Sequence, residues 1–475
     1  MNFNKKLAVA VSGAVLLMAG QFALADSTTD IVDALVSKGV LTEEEGKLIT
    51  KGSESKRKAD EKANKSRISV GSFIDNATMY GDIRARYERR DGDVLASNGV
   101  DWVNSDINRT RFKITFGLKT ETKNAYSDFA MSMGDNGRSD NTSLGENATA
   151  GSSGDKGTKS TLYVKRAMFG YKITDWLSVE AGRMANPLYM VNAMVFDHDI
   201  VFDGLQEKLK YTTAGGTDLF ANVGQYIYDG KGVGSSNGGT TTTQRQNMLL
   251  AFQGGVATNI GDQSSVKGAI GYYDYTANAT SNVVWLPGFG NTATAVANYG
   301  VNNLKIVDIP VEMNYFTNGI GVKPYAEYAY NTEGSDRKAA ACASNASYCS
   351  LANDDSAWLL GLQIGSGKDL KSFAGKKMAK GDWLTNLWYQ DVGIYALNQN
   401  AVDSDIFDGR LNMKGTSLKA QYNIEDNLAF NFTGAWGSRK NSQYSTGNAP
   451  KIDIDTGSKH IDDYTLYQFD VTYKF

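Results

Sequence analysis

The chain has 475 residues, and its 49 Lys and Arg residues nearly balance its 52 Asp and Glu residues. This balance argues against a nucleic-acid partner, which requires a strongly basic surface. A mean hydropathy of −0.37, with no run of about 18 apolar residues after the N-terminal region, argues against membrane-spanning helices.

Residues 1–25 have the pattern of a secretory signal peptide. Lys5 and Lys6 precede an apolar run from Leu7 to Gly20, and Ala23-Leu24-Ala25 supplies small residues at a cleavage site. The apolar run is short for a helix that crosses a bilayer, so we expect cleavage rather than an uncleaved anchor.

Residues 26–67 are predicted to form a short helical and charged periplasmic segment. Leu35 and Val36 lie on one helical face, and Thr42 to Glu45 resemble a capping box that opens a second short helix. The densely charged stretch up to Arg67 has no apolar heptad and predicts a solvated linker.

Residues 77–475 alternate with a period of two, which indicates β-strands. In the first strand, Met79, Ile83 and Tyr87 share an apolar face, while Arg84 and Arg86 lie on the opposite face. The 50 Gly and 25 Tyr residues, with only 5 Pro, suit a transmembrane barrel, in which only the outer side of each strand must be apolar. A soluble sandwich or β-helix could alternate in the same way.

Strand length and turn asymmetry favour the membrane. Many strands reach the roughly ten residues that a tilted strand needs to cross the hydrocarbon, and short turns alternate with long polar loops. The sequence shows eight long loops, which predicts an all-β, antiparallel transmembrane barrel of about 16 strands in the outer membrane. A Lys-rich connection, residues 365–381, stands where a short turn is expected, and we predict a small periplasmic helix there.

The last strand ends at the carboxyl-terminal residue Phe475. Tyr473 and Phe475 fall on its apolar face, and an aromatic end resembles the signal that the barrel-assembly machinery recognises. This strand must pair with the strand Met79 to Glu88, because a barrel with an unpaired strand would keep an open edge.

A barrel of about 16 strands encloses an aqueous channel, so the inward side chains decide what passes. We name the predicted inward cations the basic wall: Arg84, Arg86, Arg109, Arg111, Lys113, Arg166 and Lys172. Such a wall would concentrate anions. Inward acids, among them Asp82, Glu88, Glu312, Glu327 and Glu425, leave a neutral mosaic as the alternative.

The third long loop is unusually apolar between Pro187 and Phe202, and it also carries Asp197, His198, Asp199 and Asp203. We predict that it folds into the barrel as the pore constriction, with its acids opposite the basic wall. Packing on a neighbouring subunit or an outer rim is the alternative. Ca²⁺ binding at the acids is disfavoured, because the glycine and glutamate of an EF-hand loop are missing, and we predict no metal site.

Cys342 and Cys349 lie in one polar loop of an exported chain, which predicts a disulfide. A metal or redox pair is the alternative, although it lacks the CxxC spacing and a nearby His. No G-x-S-x-G or H-E-x-x-H motif is present, so we predict no catalytic residues, no cofactor and no enzymatic activity.

The order of several short motifs resembles the "putative porin" family of Gram-negative outer membranes. These motifs are Leu35 to Thr42, Asn108 to Phe112, Ala181 to Pro187, Phe202 to Leu205 and Asp470 to Phe475. The resemblance implies passive diffusion of small hydrophilic solutes or ions, and a homotrimer as in general porins. Arg183 and Glu207 fit the predicted barrel poorly, because the alternation of their strands turns a charged side chain towards lipid. A plugged barrel with a binding or adhesion role is the alternative function.

Overall fold

The computed structural model describes residues 42, 44, 74–95, 101–134, 139–144, 160–229, 247–276, 304–344, 346–375, 378–444 and 461–475. The predicted signal peptide lies outside these residues, as does the N-terminal segment apart from Thr42 and Glu44. Within the described ranges, no helix is long and apolar enough to cross a membrane.

Seventeen strands make up the described part of the barrel. They are β1 Asn76–Leu95, β2 Trp102–Glu121, β3 Ala125–Met133, β4 Thr142–Ser143, β5 Leu162–Thr174, β6 Leu177–Ala185, β7 Val201–Thr212, β8 Asp218–Asp229, β9 Asn247–Asn259, β10 Ser264–Tyr275, β11 Lys305–Thr317, β12 Ile320–Asn331, β13 Ser356–Ser366, β14 Trp383–Val392, β15 Met413–Glu425, β16 Leu428–Arg439 and β17 Ile461–Lys474.

The strands pair antiparallel in chain order, and the sheet closes on itself. The two-residue strand β4 pairs with β2 at Phe112 and Thr142, just N-terminal on β2 to the residues that pair with β3. Because β4 continues the line of β3, the wall has sixteen strands. The predicted all-β, antiparallel barrel of 16 strands is therefore confirmed.

Closure joins the first strand to the last, as the sequence predicts. Arg86 lies opposite Asp470, and Ile83 lies opposite Tyr473. The amide of Gly81 donates to the carbonyl of Phe475 at 2.9 Å, and the amide of Phe475 donates back to Gly81 at 3.0 Å. Pairing on both sides removes the open edge that would otherwise recruit another strand.

The outer surface of the wall is apolar. Phe169, Ile270 and Leu360 are more than 60% exposed, and similar large apolar side chains alternate along most strands with inward polar ones. This arrangement is the inverse of a soluble sandwich, in which the apolar face would be buried. An apolar outer belt around a polar interior is the arrangement that lipid on one side and water on the other require.

In the described part of the barrel, two helices lie outside the wall strands, α1 Gly334–Ser344 and α2 Leu370–Ala374. Helix α2 lies in the Lys-rich connection, where a small helix is predicted, and the Asp369 carboxylate caps its amino end by accepting from the Ser372 amide at 2.7 Å. The buried ring of Phe373 lies over Gly321 on β12, at a point where a side chain on Gly321 would collide with it. The connection is therefore packed against the barrel.

Helix α1 carries Cys342, and its sulfur is bonded to that of Cys349 with a Cα–Cα distance of 4.7 Å. Two 3-10 turns complete the described elements, at Ala346–Tyr348 and Ile406–Gly409. The disulfide closes a small loop between β12 and β13, at the end of the barrel that carries the long loops. We call this the long-loop end, and the opposite end, with the chain termini of the barrel, the short-turn end.

Candidate functional site

Two connections turn into the barrel and fill much of its interior. Inner loop 1, residues 186–200, joins β6 to β7, and inner loop 2, residues 393–412, joins β14 to β15. Apolar side chains of both loops are buried in one cluster with inward residues of the wall. The loops and the wall thus share a core inside the barrel.

Inner loop 1 extends into the interior and is anchored on the inner faces of β9 and β10. The amide of Tyr189 donates to the side-chain oxygen of Gln253 on β9 at 2.7 Å, and the Gln253 amide group donates back to the Tyr189 carbonyl at 2.9 Å. Farther along, the Phe196 ring packs on Tyr273 of β10 with ring centroids 5.1 Å apart. These anchors hold the loop inside the barrel, where its apolar side chains avoid water.

Inner loop 2 is clamped to β1 by two buried arginines. Arg90 donates to Asp405 at 2.8 Å and to Asp408 at 2.9 Å, and Arg86 donates to Asp405 at 3.0 Å. Phe407 and Asp408 have φ of 53° and 58°, a strained backbone that only surrounding contacts can maintain. The sequence predicts residues 399–411 as one of the eight long polar loops. The segment nevertheless has an apolar signal like that of inner loop 1, and these of its side chains are buried: Ala401, Val402, Ile406, Phe407 and Leu411.

Asp197 ties the two inner loops together. Its carboxylate accepts from the Ser404 amide at 3.0 Å and from the Ser404 hydroxyl at 2.9 Å, while its own amide donates to the Ala401 carbonyl at 2.7 Å. Asp197 is buried, so it joins the loops and does not face open lumen. His198, the next residue, is exposed.

Cations on the inner face of the wall lie beside both inner loops. Lys165 lies 3.7 Å from Asp199 of inner loop 1, and Asp405 of inner loop 2 lies beside Arg86. Side chains here are partly exposed, with Asp199 and Asp405 each at 27%. We call this passage the eyelet, bounded by these residues: Arg84, Lys113, Lys165, Arg166, Asp82, Asp128, Asp140, Asp199 and Asp405.

Ion pairs neutralise most of the basic wall. Arg86 donates to Asp470 at 2.7 Å, and Arg109 lies 2.6 Å from Glu88. Three further cations have partners, which are Asp128 for Arg166 at 2.9 Å, Asp140 for Lys113 at 3.4 Å, and Asp470 for Arg84 at 3.9 Å. Arg111 donates to Ser139 at 3.0 Å and to the Asn141 carbonyl at 3.1 Å. The arrangement matches the neutral mosaic more closely than a wall of free cations.

The eyelet carboxylates of the inner loops remain charged. Burial raises the pKa of Asp405, but Arg86 and Arg90 outweigh it and hold that pKa well below the usual value. Burial likewise raises the pKa of Asp199, and Lys165, Lys113 and Arg84 bring the net shift to a lowered pKa. Both carboxylates therefore stay negatively charged beside the cations of the wall.

Lys165 is an eyelet cation that alternation could not predict. A β-bulge opposite Ala130 and Met131 inserts one extra residue into β5, so Lys165 and Arg166 both point inward. Lys165 then forms ion pairs with Asp140 and with Asp199. No local sequence signal marks this bulge.

Asp203 requires a correction, because it is not part of the constriction. It follows the inward Phe202 on β7 and therefore points outward, where the Arg183 guanidinium donates to it at 2.7 and 2.8 Å. Both side chains are 44% exposed. Glu207 also points outward and accepts from Gln225 at 3.2 Å. These four residues form a polar patch on the outer belt, which we call the outer polar patch.

Lys172 also lies apart from the eyelet. It points inward near the short-turn end, with its ammonium 5.9 Å from the centroid of the Tyr126 ring. Tyr473 and Phe475 point outward at the same end, with their rings 6.3 Å apart. Among the described residues, no group of three or more His, Cys, Asp and Glu side chains is arranged to hold a metal.

Residues 90–294 match the model of the family described as "Putative porin". This segment belongs to that porin family. The family indicated by the motif order is thus confirmed, and the porin is a multi-pass β-barrel of the outer membrane, as its closed wall and apolar belt require. The match of this segment to a porin family supports an outer-membrane channel. No curated protein sequence matches it.

Several solved porin structures are similar to this porin in fold. Salmonella typhi OmpF in complex with daunomycin is 12% identical, with 86% of this chain and 100% of that chain covered and a TM-score of 0.43. An anion-selective porin from Comamonas acidovorans is 11% identical over 84% and 99% of the two chains, with a TM-score of 0.43. Pseudomonas putida OprB is 9% identical over 84% and 94%, with a TM-score of 0.45.

Proposed function

We propose that this porin is a passive diffusion channel for small hydrophilic solutes and ions. The observation that carries the proposal is the eyelet, where the partly exposed carboxylates of Asp199 and Asp405 lie beside cations of the wall inside a closed barrel. Oppositely charged groups that line a narrow passage orient polar solutes and disfavour apolar ones, because apolar solutes cannot replace the water that these groups bind.

Liposome swelling tests the channel directly. Proteoliposomes are diluted into isotonic solutions of sugars of increasing size, and we expect swelling rates that fall as the sugar grows. The alternative function is a plugged barrel that acts in surface binding or adhesion, which the two buried inner loops favour. A barrel of that kind would give no swelling with any sugar, and that result would contradict the channel.

We further propose a weak anion preference that arises mainly outside the eyelet. The eyelet cations are paired with carboxylates, so their net field is small. Lys119, Lys172 and Lys267 lie inward nearer the short-turn end, and within the described residues no carboxylate forms an ion pair with any of them. Unpaired cations raise the local anion concentration.

Reversal potentials in planar bilayers under a KCl gradient test this preference. We expect a potential whose sign indicates chloride selectivity, with a magnitude that decreases as salt screens the lysines, since the Debye length is about 10 Å at 0.1 M. Lys172→Met combined with Lys267→Met should move the potential towards zero. A cation-selective wild-type channel contradicts the proposal.

We propose a homo-oligomer, with a homotrimer implied by the family, in which the outer polar patch contacts a second copy. Arg183, Asp203 and Glu207 lie on a surface that otherwise faces lipid, where charged groups are costly. A neighbouring subunit would cover them and supply hydrogen-bond partners. Electrophoresis of unheated protein in mild detergent tests the assembly, and a monomer band alone contradicts it.

Recognition of Tyr473 and Phe475 by the barrel-assembly machinery is a proposal that their outward exposure at the chain end supports. Replacing both with Ser should reduce the amount of assembled barrel in outer-membrane fractions. Assembly at the wild-type level would contradict it. That the porin has no enzymatic activity stays a prediction.

A further inference from the structure

A second chamber lies on the short-turn side of inner loop 1 and is separate from the eyelet. Its volume is about 660 Å³, within the range of roughly 300–1,000 Å³ that is usual for small-molecule sites. The loop segment from Pro187 to Met190 covers it, and the β5–β6 turn with inward residues of β7, β8 and β10 forms its sides. Inner loop 1 therefore has two functional faces.

Four lysines line this chamber, and two of them form no ion pair within the described residues, although Lys267 lies opposite Glu312 on the neighbouring strand. Lys208 is paired with Glu180, and Lys210 is paired with Asp218 at 2.9 Å. Within the described residues, no carboxylate forms an ion pair with Lys172 or Lys267. Asp175, on the β5–β6 turn, is the acid that lines the chamber directly. Because Glu180 and Asp218 are paired with two of the lysines and Glu312 is paired with Lys323, Asp175 leaves the chamber with a small excess of positive charge.

Aromatic rings hold the two unpaired ammonium groups in place. The Lys267 ammonium lies 4.0 Å from the centroid of the Tyr189 ring and 5.1 Å from that of Phe220, and these two rings meet edge to face. Lys172 lies over Tyr126. Cation–π contacts fix an ammonium group without neutralising its charge, so its hydrogens stay available to an anion.

We propose that this chamber binds small organic anions in which a carboxylate is attached to a flat apolar ring. Lys267 and Lys172 would bind the carboxylate, because charge-assisted hydrogen bonds are the strong ones. Leu188, Met190 and Phe220 supply the apolar surface that a flat ring covers. The inference rests on the proposed function, since it names a solute class for the same lumen, but binding itself requires no passage through the eyelet.

Equilibrium binding to the full-length porin in detergent tests the inference. Titration calorimetry compares three probes: benzoate, which has both features, acetate, which lacks the ring, and benzamide, which lacks the charge. We expect benzoate to bind more tightly than either of the others. Equal affinity for benzoate and benzamide would show that the lysines play no role and would overturn the inference.

Lys267→Met is the decisive variant, because Met keeps the apolar packing on Tyr189 and Phe220 and removes only the charge. We expect benzoate affinity to fall about tenfold, as one charge-assisted hydrogen bond predicts. Lys419→Met is the matched control, since Lys419 is also inward, with its ammonium 5.5 Å from the Trp388 ring, but does not line the chamber. An unchanged affinity in Lys267→Met overturns the inference.

The same probes separate this inference from the channel function. Benzoate binding by a barrel that shows no conductance would overturn the proposed channel and support the chamber. Normal conductance without benzoate binding would overturn the chamber alone. Heat-modified migration of each variant on gels shows whether it is folded, so a loss of binding in a folded variant counts as a result.

Discussion

Deletion of Met190–Phe196 is expected to raise the single-channel conductance of this porin about twofold or more, because the conductance of a constricted pore follows its narrowest cross-section. These residues form the middle of inner loop 1, and Met194, Val195 and Phe196 are almost completely buried inside the barrel. Without them the loop loses its contact with Tyr273 on β10. Bilayer recordings of single insertions measure the effect.

A point variant tests the same loop in case the deletion variant does not fold. Phe196→Ala removes the contacts with Tyr273 and Phe202 and loosens the loop, so we expect a noisier current with a higher mean conductance. The matched control is Phe169→Ala, in which the ring lost is 67% exposed on the outer belt. Conductance that is identical in the deletion, in Phe196→Ala and in the wild type would show that inner loop 1 does not limit the current.

Loss of the arginine clamp on inner loop 2 is the second large effect. Arg90 is almost fully buried and binds Glu88, Asp405 and Asp408. Arg90→Met leaves these carboxylates close together without their common cation, and removing one partner of a buried ion pair costs about 3–5 kcal/mol. We expect inner loop 2 to detach from β1, which should increase conductance and current noise.

Arg89→Met is the control for this variant, since Arg89 is the preceding residue on the same strand but is 51% exposed and points outward. Limited proteolysis of the assembled barrel gives an independent readout, with cleavage within residues 393–412 expected only in Arg90→Met. If both variants resist protease and conduct as the wild type does, the clamp is not needed to hold the loop.

The clamp has a defined pH range. Because the folded-state pKa of Asp405 lies well below its usual value, its contribution to stability is fully present above the ordinary Asp pKa of about 3.9 and is lost only as the pH falls through the lowered value. The wild-type current noise should therefore not increase between pH 7 and about pH 4 on account of Asp405.

Alternation in the sequence predicted much of the barrel. The faces of β1 and β2 were predictable because a closed wall with lipid outside and water inside imposes a period of two on every strand. The pairing of the last strand with the first followed from the need to leave no open edge. The apolar composition of inner loop 1 indicated that it could not remain in water.

Other features could not be predicted, for identifiable physical reasons. The bulge that turns Lys165 inward changes the parity of β5 without any local signal. The place of Asp203 in the third long loop predicts a position at the constriction, whereas its parity on β7 turns it outward. The ion pairs that neutralise Arg86 depend on Asp405 and Asp470, which are more than 300 residues away in the chain. Long-range partners of this kind do not follow from strand alternation.

The Asp197–Ser404 contact has a consequence for how the passage would open. Since each inner loop supplies hydrogen-bond partners to the other, displacing one loop removes contacts that stabilise its neighbour, and their movements are thermodynamically linked. Two loops that moved independently would give four combinations of positions and up to four current levels. Two linked loops move together, so the recorded current would switch between two levels.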